Sequence, residues 1–226
     1  MRFPRTMIGV SAVALLSAGC SSAETAQGGA AADAAKALPV AVTGAQPDVH
    51  MRGGDALRVT PAPEAGAPLA QKVEHALRED VLSIAKVAGE TSAKCPAGVT
   101  RKAGAVSQCV VTYAGAEIPY EVKISDSYTA GSSFISYTKE PKKGLLVDKL
   151  VYQMINESYG SESGRTDASK LACDKLPAAK AFDFGADTGY KCQYWGEHAD
   201  NGEPGFRTVQ VGIGRKGYSY SFEEVE

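Results

Sequence analysis

The stretch Gln108-Cys109-Val110-Val111-Thr112-Tyr113, then Ala114-Gly115-Ala116, then Glu117-Ile118-Pro119-Tyr120-Glu121-Val122-Lys123-Ile124, decides the fold. In its second half Ile118, Tyr120, Val122 and Ile124 alternate with Glu117, Pro119, Glu121 and Lys123. Successive side chains of a strand point to opposite faces, so this pattern is a strand with one buried face. The first half, rich in Val, Thr and Tyr, is a second strand, and Ala114-Gly115-Ala116 is the turn between them. Pro119 lacks an N–H and predicts an edge position or a bulge.

Working outward, a helix precedes the hairpin. Leu69, Val73, Leu77, Val81 and Ile84 fall on one face at steps of four and three. Pro68 suits a first helical position. Glu74 and Arg78 are spaced as a favourable ion pair, and Gly89 is placed to end the helix. Cys95-Pro96 follows, and a last strand is expected over Ser133 to Thr138.

The same order then recurs. Leu146, Val147, Leu150, Val151, Met154 and Ile155 make an apolar helical face between Gly144 and Gly160. Cys173 follows, then Cys192 within a strand from Tyr190 to Trp195. Val209, Val211 and Ile213 alternate within Arg207 to Ile213, and Tyr218, Tyr220 and Phe222 alternate after them. A helix packed on the apolar face of an antiparallel sheet, twice over, predicts the α+β class: two tandem modules, one disulfide each, after a disordered stalk. Four cysteines allow three pairings. The repeat favours Cys95–Cys109, 14 positions apart, and Cys173–Cys192, 19 apart. Metal ligation by these thiolates is not expected, because the two-residue spacings of zinc sites are missing.

Ala93-Lys94-Cys95-Pro96, Gly104-Ala105, Gln108-Cys109-Val110-Val111, Gly115 and Tyr120-Glu121-Val122-Lys123-Ile124 together resemble the bacterial domain of unknown function 4333 family over about residues 69–140. That resemblance implies a secreted or lipoprotein chain of high-GC Gram-positive bacteria and carries no catalytic residues. The second copy departs from it, with no proline after Cys173 and a longer loop between its cysteines. The tandem helix-plus-sheet plan with short-range disulfides is also similar to secreted β-lactamase inhibitory proteins, a likeness of architecture that transfers no function.

The N-terminus places these modules in a compartment. Arg2 and Arg5 precede an apolar run from Met7 to Leu16, a signal-peptide layout too short to span a bilayer. Leu16-Ser17-Ala18-Gly19-Cys20 is similar to the bacterial lipobox, which implies that Cys20 is acylated and becomes the mature N-terminus, anchored in the membrane. From Ser21 to about Ala67 the chain is Ala-, Gly-, Ser- and Pro-rich without apolar periodicity, which reads as a flexible stalk about 40 Å end to end. Leu38–Val42 and Ala56–Val59 within it are possible short strands docking on the folded part. The chain divides into a signal segment (1–19), a lipidated N-terminus and flexible linker (20–67), a first α+β module (68–141) and a second (142–226).

Losing residues 1–19 removes Arg2 and Arg5, so 24 − 2 = 22 Lys+Arg face 26 Asp+Glu, a net charge of 22 − 26 = −4. A mildly acidic chain is not expected to bind nucleic acid. Gly212-Ile213-Gly214-Arg215-Lys216-Gly217 matches a dinucleotide fingerprint in letters, but a strand follows it where that mechanism needs a helix, so a hairpin turn is expected. Ser83-Ile84-Ala85-Lys86 lacks the partner motifs of penicillin-interacting enzymes, and Asp183-Phe184-Gly185 lacks those of kinases. Gly196 to Glu203 is oxygen-rich but has no standard calcium spacing. No catalytic residue, metal or cofactor is expected. The aromatic residues of the second copy supply the candidate interface: Trp195, Tyr194 and Phe206. Trp195 should point away from Cys192 and Tyr194. The expected function is a membrane-anchored, extracytoplasmic, non-enzymatic binding module for an envelope protein or polymer. An inhibitor of a secreted enzyme and an envelope hydrolase are the alternatives.

Overall fold

The computed structural model describes residues 37–198, 203–214 and 219–225; the leader, Cys20 and the first part of the expected linker lie outside the described residues. The elements are β1 (Val40–Val42), a 3-10 turn (Asp55–Leu57), α1 (Leu69–Ala85), β2 (Thr91–Lys94), β3 (Val106–Tyr113), β4 (Ala116–Ile124), β5 (Tyr137–Pro141), β6 (Gly144–Val147), α2 (Asp148–Tyr159), a 3-10 turn (Ser161–Ser163), β7 (Ala168–Cys173), β8 (Ala179–Phe182), β9 (Asp187–Gly196), β10 (Gly205–Ile213) and β11 (Tyr220–Val225). The fold is α+β, with antiparallel sheets of order β2-β3-β4-β5, β1-β7-β9-β10-β11 and β6-β8.

The opening hairpin is β3–β4. Tyr113 faces Ala116, so the loop is Ala114-Gly115 alone, and both have positive φ (45° and 85°), which matches the right-handed twist of the flanking strands. Cys109, Val111, Tyr113, Ile118, Tyr120 and Val122 turn inward and pack under α1. Pro119 sits in an internal strand, yet it costs no ladder bond. Its carbonyl accepts from Lys142 N–H (2.8 Å), so its nitrogen also faces the β5 side, where β5 has already ended opposite Tyr120. β5 itself begins at Tyr137 rather than Ser133, because Ser125 N–H pairs with Ser136 O (2.9 Å) and closes the loop there.

α1 ends at Ala85, not at Gly89. Lys86 adopts the left-handed conformation (φ 55°) and its N–H bonds Leu82 O (2.9 Å). Gly89 serves instead to let the chain pass Tyr113: a Cβ there would meet the Tyr113 ring at 3.0 Å. Pro68 is the N-cap residue of α1, one position outside the helix.

The second helix begins later than its apolar pattern implies. Gly144-Leu145-Leu146-Val147 is strand β6, paired with β8 and buried at every position. Leu145 and Val147 enter the core under α1, whereas Leu146 enters the core between α2 and the five-stranded sheet. The β6–β8 ribbon is therefore the partition between two cores. Tyr220 of β11 fixes it: its hydroxyl accepts from Val147 N–H (2.9 Å) and donates to Leu145 O (3.0 Å).

The linker expected to run flexibly to residue 67 is folded from residue 37 onward within the described residues. β1 pairs with β7, Leu57 and Val59 are buried in the first core, and Val49 bridges Val87. Gln46 N–H bonds Gln153 Oε1 (2.7 Å), and Lys149 pairs with Asp48. Ala56–Val59 is not a strand; a 3-10 turn delivers Leu57 inward. Few apolar residues suffice, because this segment completes cores already formed by others.

Candidate functional site

The sheet of the second module is built around its disulfide. Cys173 and Cys192 face each other across β7 and β9, with Cα atoms 3.9 Å apart. In the first module Lys94 faces Val110, which sets Cys95 opposite Cys109, with Cα atoms 4.1 Å apart. Both bridges thus join directly facing positions of neighbouring antiparallel strands. With Cys192 inward, alternation turns Tyr194 inward as well and Trp195 to the other face.

On that outer face Trp195 faces Phe206 of β10, and the two rings meet edge-on with centroids 5.1 Å apart. Lys170 Nζ lies 4.5 Å from the Trp195 ring centroid, a cation–π contact. Lys170 reaches it from a bulge in β7, where its φ is 46°. Trp195 and Phe206 are both half-buried. Phe206 is also one wall of a groove of about 720 Å³ lined by Leu38, Ala41, Val42, Leu171 and Ala172, with Asn156 and Ser161 at its side. Leu38 N–H bonds Gln193 Oε1 (3.1 Å), which lays the start of the described chain along this groove.

Tyr194 does not join that face. It is 2% exposed and stacks on Tyr159 at the end of α2, with centroids 4.4 Å apart. Its hydroxyl donates to Glu224 Oε1 (2.5 Å), and Arg207 Nη1 donates to Glu224 Oε2 (2.9 Å). The Arg165 guanidinium lies over both tyrosine rings and is held by two hydrogen bonds to Asp167. Burial, and then the bond to Glu224, push the Tyr194 hydroxyl up to about 12. The same bond holds the Glu224 carboxyl below its ordinary range, and the Arg165 contact does so for Asp167. A tyrosine kept protonated and a carboxylate kept charged are poor proton shuttles at neutral pH. They make a latch that fastens β11 and the end of α2 to β9 and β10.

No family model matches the chain, and neither a curated protein nor a solved structure matches it. The remaining motifs resolve structurally. Of Gly212 to Gly217, Gly212 and Ile213 are the last residues of β10, with Ile213 facing Tyr220 of β11, and Gly214 N–H bonds Ser219 O (2.8 Å); residues 215–217 are outside the described part. Ser83 is exposed on α1. Asp183 pairs with Lys143 (3.7 Å), and Phe184 packs against the second core. Residues 199–202 of the oxygen-rich loop are outside the described part, and among the described residues no group of three His, Cys, Asp or Glu could hold a metal. His75 Nε2 bonds Val59 O (2.9 Å), a structural role. No helix among the described residues is long and apolar enough to cross a membrane.

Lys170, Tyr159, Arg165 and Glu224 escape sequence reading. Their contacts to Trp195 and Tyr194 span 25 or more positions of the chain, and only the tertiary structure brings them together. The bulge that aims Lys170 has no local signature, since lysine is an uncommon residue at positive φ.

Proposed function

We propose that this chain is an extracytoplasmic lipoprotein, anchored through an acylated Cys20, that acts as a non-enzymatic binding module of the cell envelope. The observation that carries the reading is the juxtaposition of the Lys170–Trp195–Phe206 row with an apolar groove lined by Leu38, Ala41 and Val42. Half-buried aromatic side chains flanked by a cation and a concave apolar wall are the features of binding hot spots. Two disulfides support an oxidising compartment. The leader layout supports the same location.

The test is a cross-linking pull-down from cell-envelope extract with the full chain, beside a Trp195→Ala/Phe206→Ala variant. A dominant envelope protein, or retained peptidoglycan or glycan, that the variant fails to capture supports the reading. Equal capture by the folded variant overturns the assignment of this face. The reading as an inhibitor of a secreted enzyme draws on one observation: Phe134, in the β4–β5 loop, is 87% exposed and projects as a side chain able to enter a partner's cleft.

A further inference from the structure

A second site lies on the opposite module and does not depend on the lipid anchor or the aromatic row. β2 is an edge strand: β3 pairs with one side, and no strand pairs with the other among the described residues. Ala114 N–H bonds Glu90 O (3.1 Å), so the polar backbone groups of Glu90 point to β3. Strand alternation then turns those of Thr91, Ala93 and Cys95 to the open side. One of these is already satisfied from outside, since Cys95 N–H donates to Glu74 Oε1 (2.9 Å). The other two face a slot.

The slot is two grooves, of about 970 and 690 Å³, that share Arg78, Thr91 and Ser92 and so run continuously along β2. The segment 56–68, with Pro61 and Pro63, is the far wall. Arg78 of α1 lies at the centre of the floor. The Glu74–Arg78 ion pair that their spacing predicts is not made. Glu74 turns to Cys95, and Arg78 Nε donates to Thr91 Oγ1 (3.1 Å). The terminal guanidinium nitrogens of Arg78 have no partner among the described residues, whereas Glu64 and Glu90 stand exposed at the two ends of the slot.

We propose that this edge takes up an extended peptide segment of a partner protein as an additional strand. An acidic side chain of that segment would meet Arg78, with neutral or basic residues toward its ends. Unpaired edge groups are the template for such strand addition. Of the other charged or ring-nitrogen groups along the slot, Arg58 pairs with Glu79 (3.7 Å), Glu74 accepts from Cys95 N–H and His75 bonds Val59 O, so Arg78 is the lining cation left to select an acidic residue in the ligand.

The probe is the peptide acetyl-Lys-Thr-Val-Glu-Val-Thr-Lys-amide, titrated into the ¹⁵N-labelled full chain in detergent micelles. The expected result is saturable shifts of the Thr91 and Ala93 amides with their protection from hydrogen exchange. Replacing the central Glu by Lys should weaken binding about tenfold, the worth of one charge-assisted hydrogen bond. Arg78→Ala should erase that difference, and Arg78→Lys should keep part of it. A peptide N-methylated at alternate residues, which leaves the protein unaltered, should not bind. No binding at about 1 mM peptide, equal binding of the N-methylated peptide, or shifts confined to other residues would overturn the proposal. So would Thr91 and Ala93 amides protected before peptide is added. Protection that varies with protein concentration would assign the slot to a second copy, and protection that does not vary would assign it to the chain's own residues before Ala37.

Discussion

At the scale of single residues, adjacent positions on β9 have opposite fates. Tyr194 closes a core and Trp195 borders a groove, because strand side chains alternate and Cys192 fixes which side is inward. Tyr194→Phe keeps the stack on Tyr159 and removes only the donor to Glu224. It should destabilise the protein by about 1 kcal/mol at neutral pH, the low end for a bond to a charged group because Glu224 is half exposed. The bond lowers the folded-state pKa of Glu224 below its unfolded value near 4.5. Its stabilisation is therefore complete above pH 4.5 and is lost as pH falls through the lower, folded value. Urea denaturation of the wild type and the variant should show a gap at pH 7 that shrinks below about pH 4. A gap independent of pH would assign the loss to packing and not to the hydroxyl–carboxylate bond.

At the scale of elements, the segment before α1 shows what composition hides. Residues 37–67 lack periodicity because they form no amphipathic element of their own; Val42, Val49, Leu57 and Val59 each plug a gap in a core made elsewhere, while Met51 stays exposed. Leu57→Ala should therefore cost about 2–5 kcal/mol, as for a buried leucine, where a residue in a flexible linker would cost almost nothing. Chemical denaturation decides between the two. The same logic separates what was legible in the sequence from what was not. The β3–β4 hairpin was legible because its signals are local: alternation, a glycine-centred turn, read one residue too long as Ala114-Gly115-Ala116, and a cysteine in the first strand. The pairing of the cysteines followed from the repeated order of elements. β6 was not legible as a strand, since Leu145, Leu146 and Val147 are buried on both faces and a short continuous apolar run has no period of two to reveal. It joined the helical pattern of Leu150, Val151 and Ile155 by default. Of the candidate interface, Trp195 and Phe206 were reachable from alternation, but Lys170 and the groove depend on a bulge and on β1.

At the scale of the whole molecule, the two modules are repeats in sequence but not separate bodies. β6 lends Leu145 and Val147 to one core and Leu146 to the other, and the Tyr220 hydroxyl ties β6 to the last strand of the second sheet. β1 and the 3-10 turn at Asp55–Leu57 add a second connection, since one segment of chain serves both cores. Neither core can open without exposing a face of the shared strand, so the described part should unfold in one cooperative transition. Calorimetry should give a van't Hoff enthalpy equal to the calorimetric one. Leu145→Ala and Leu146→Ala, adjacent residues in different cores, should each cost about 2–5 kcal/mol and lower the same single transition. Two separated transitions, with Leu145→Ala moving one and Leu146→Ala the other, would show the modules to be independent and β6 to be a connector only. The shared strand bears on the two proposed binding faces because it fixes the relative placement of the aromatic row on the second sheet and the open edge of β2 on the first. A partner that engages both faces gains from that fixed geometry, whereas modules joined by a flexible linker would have to order it at the moment of binding.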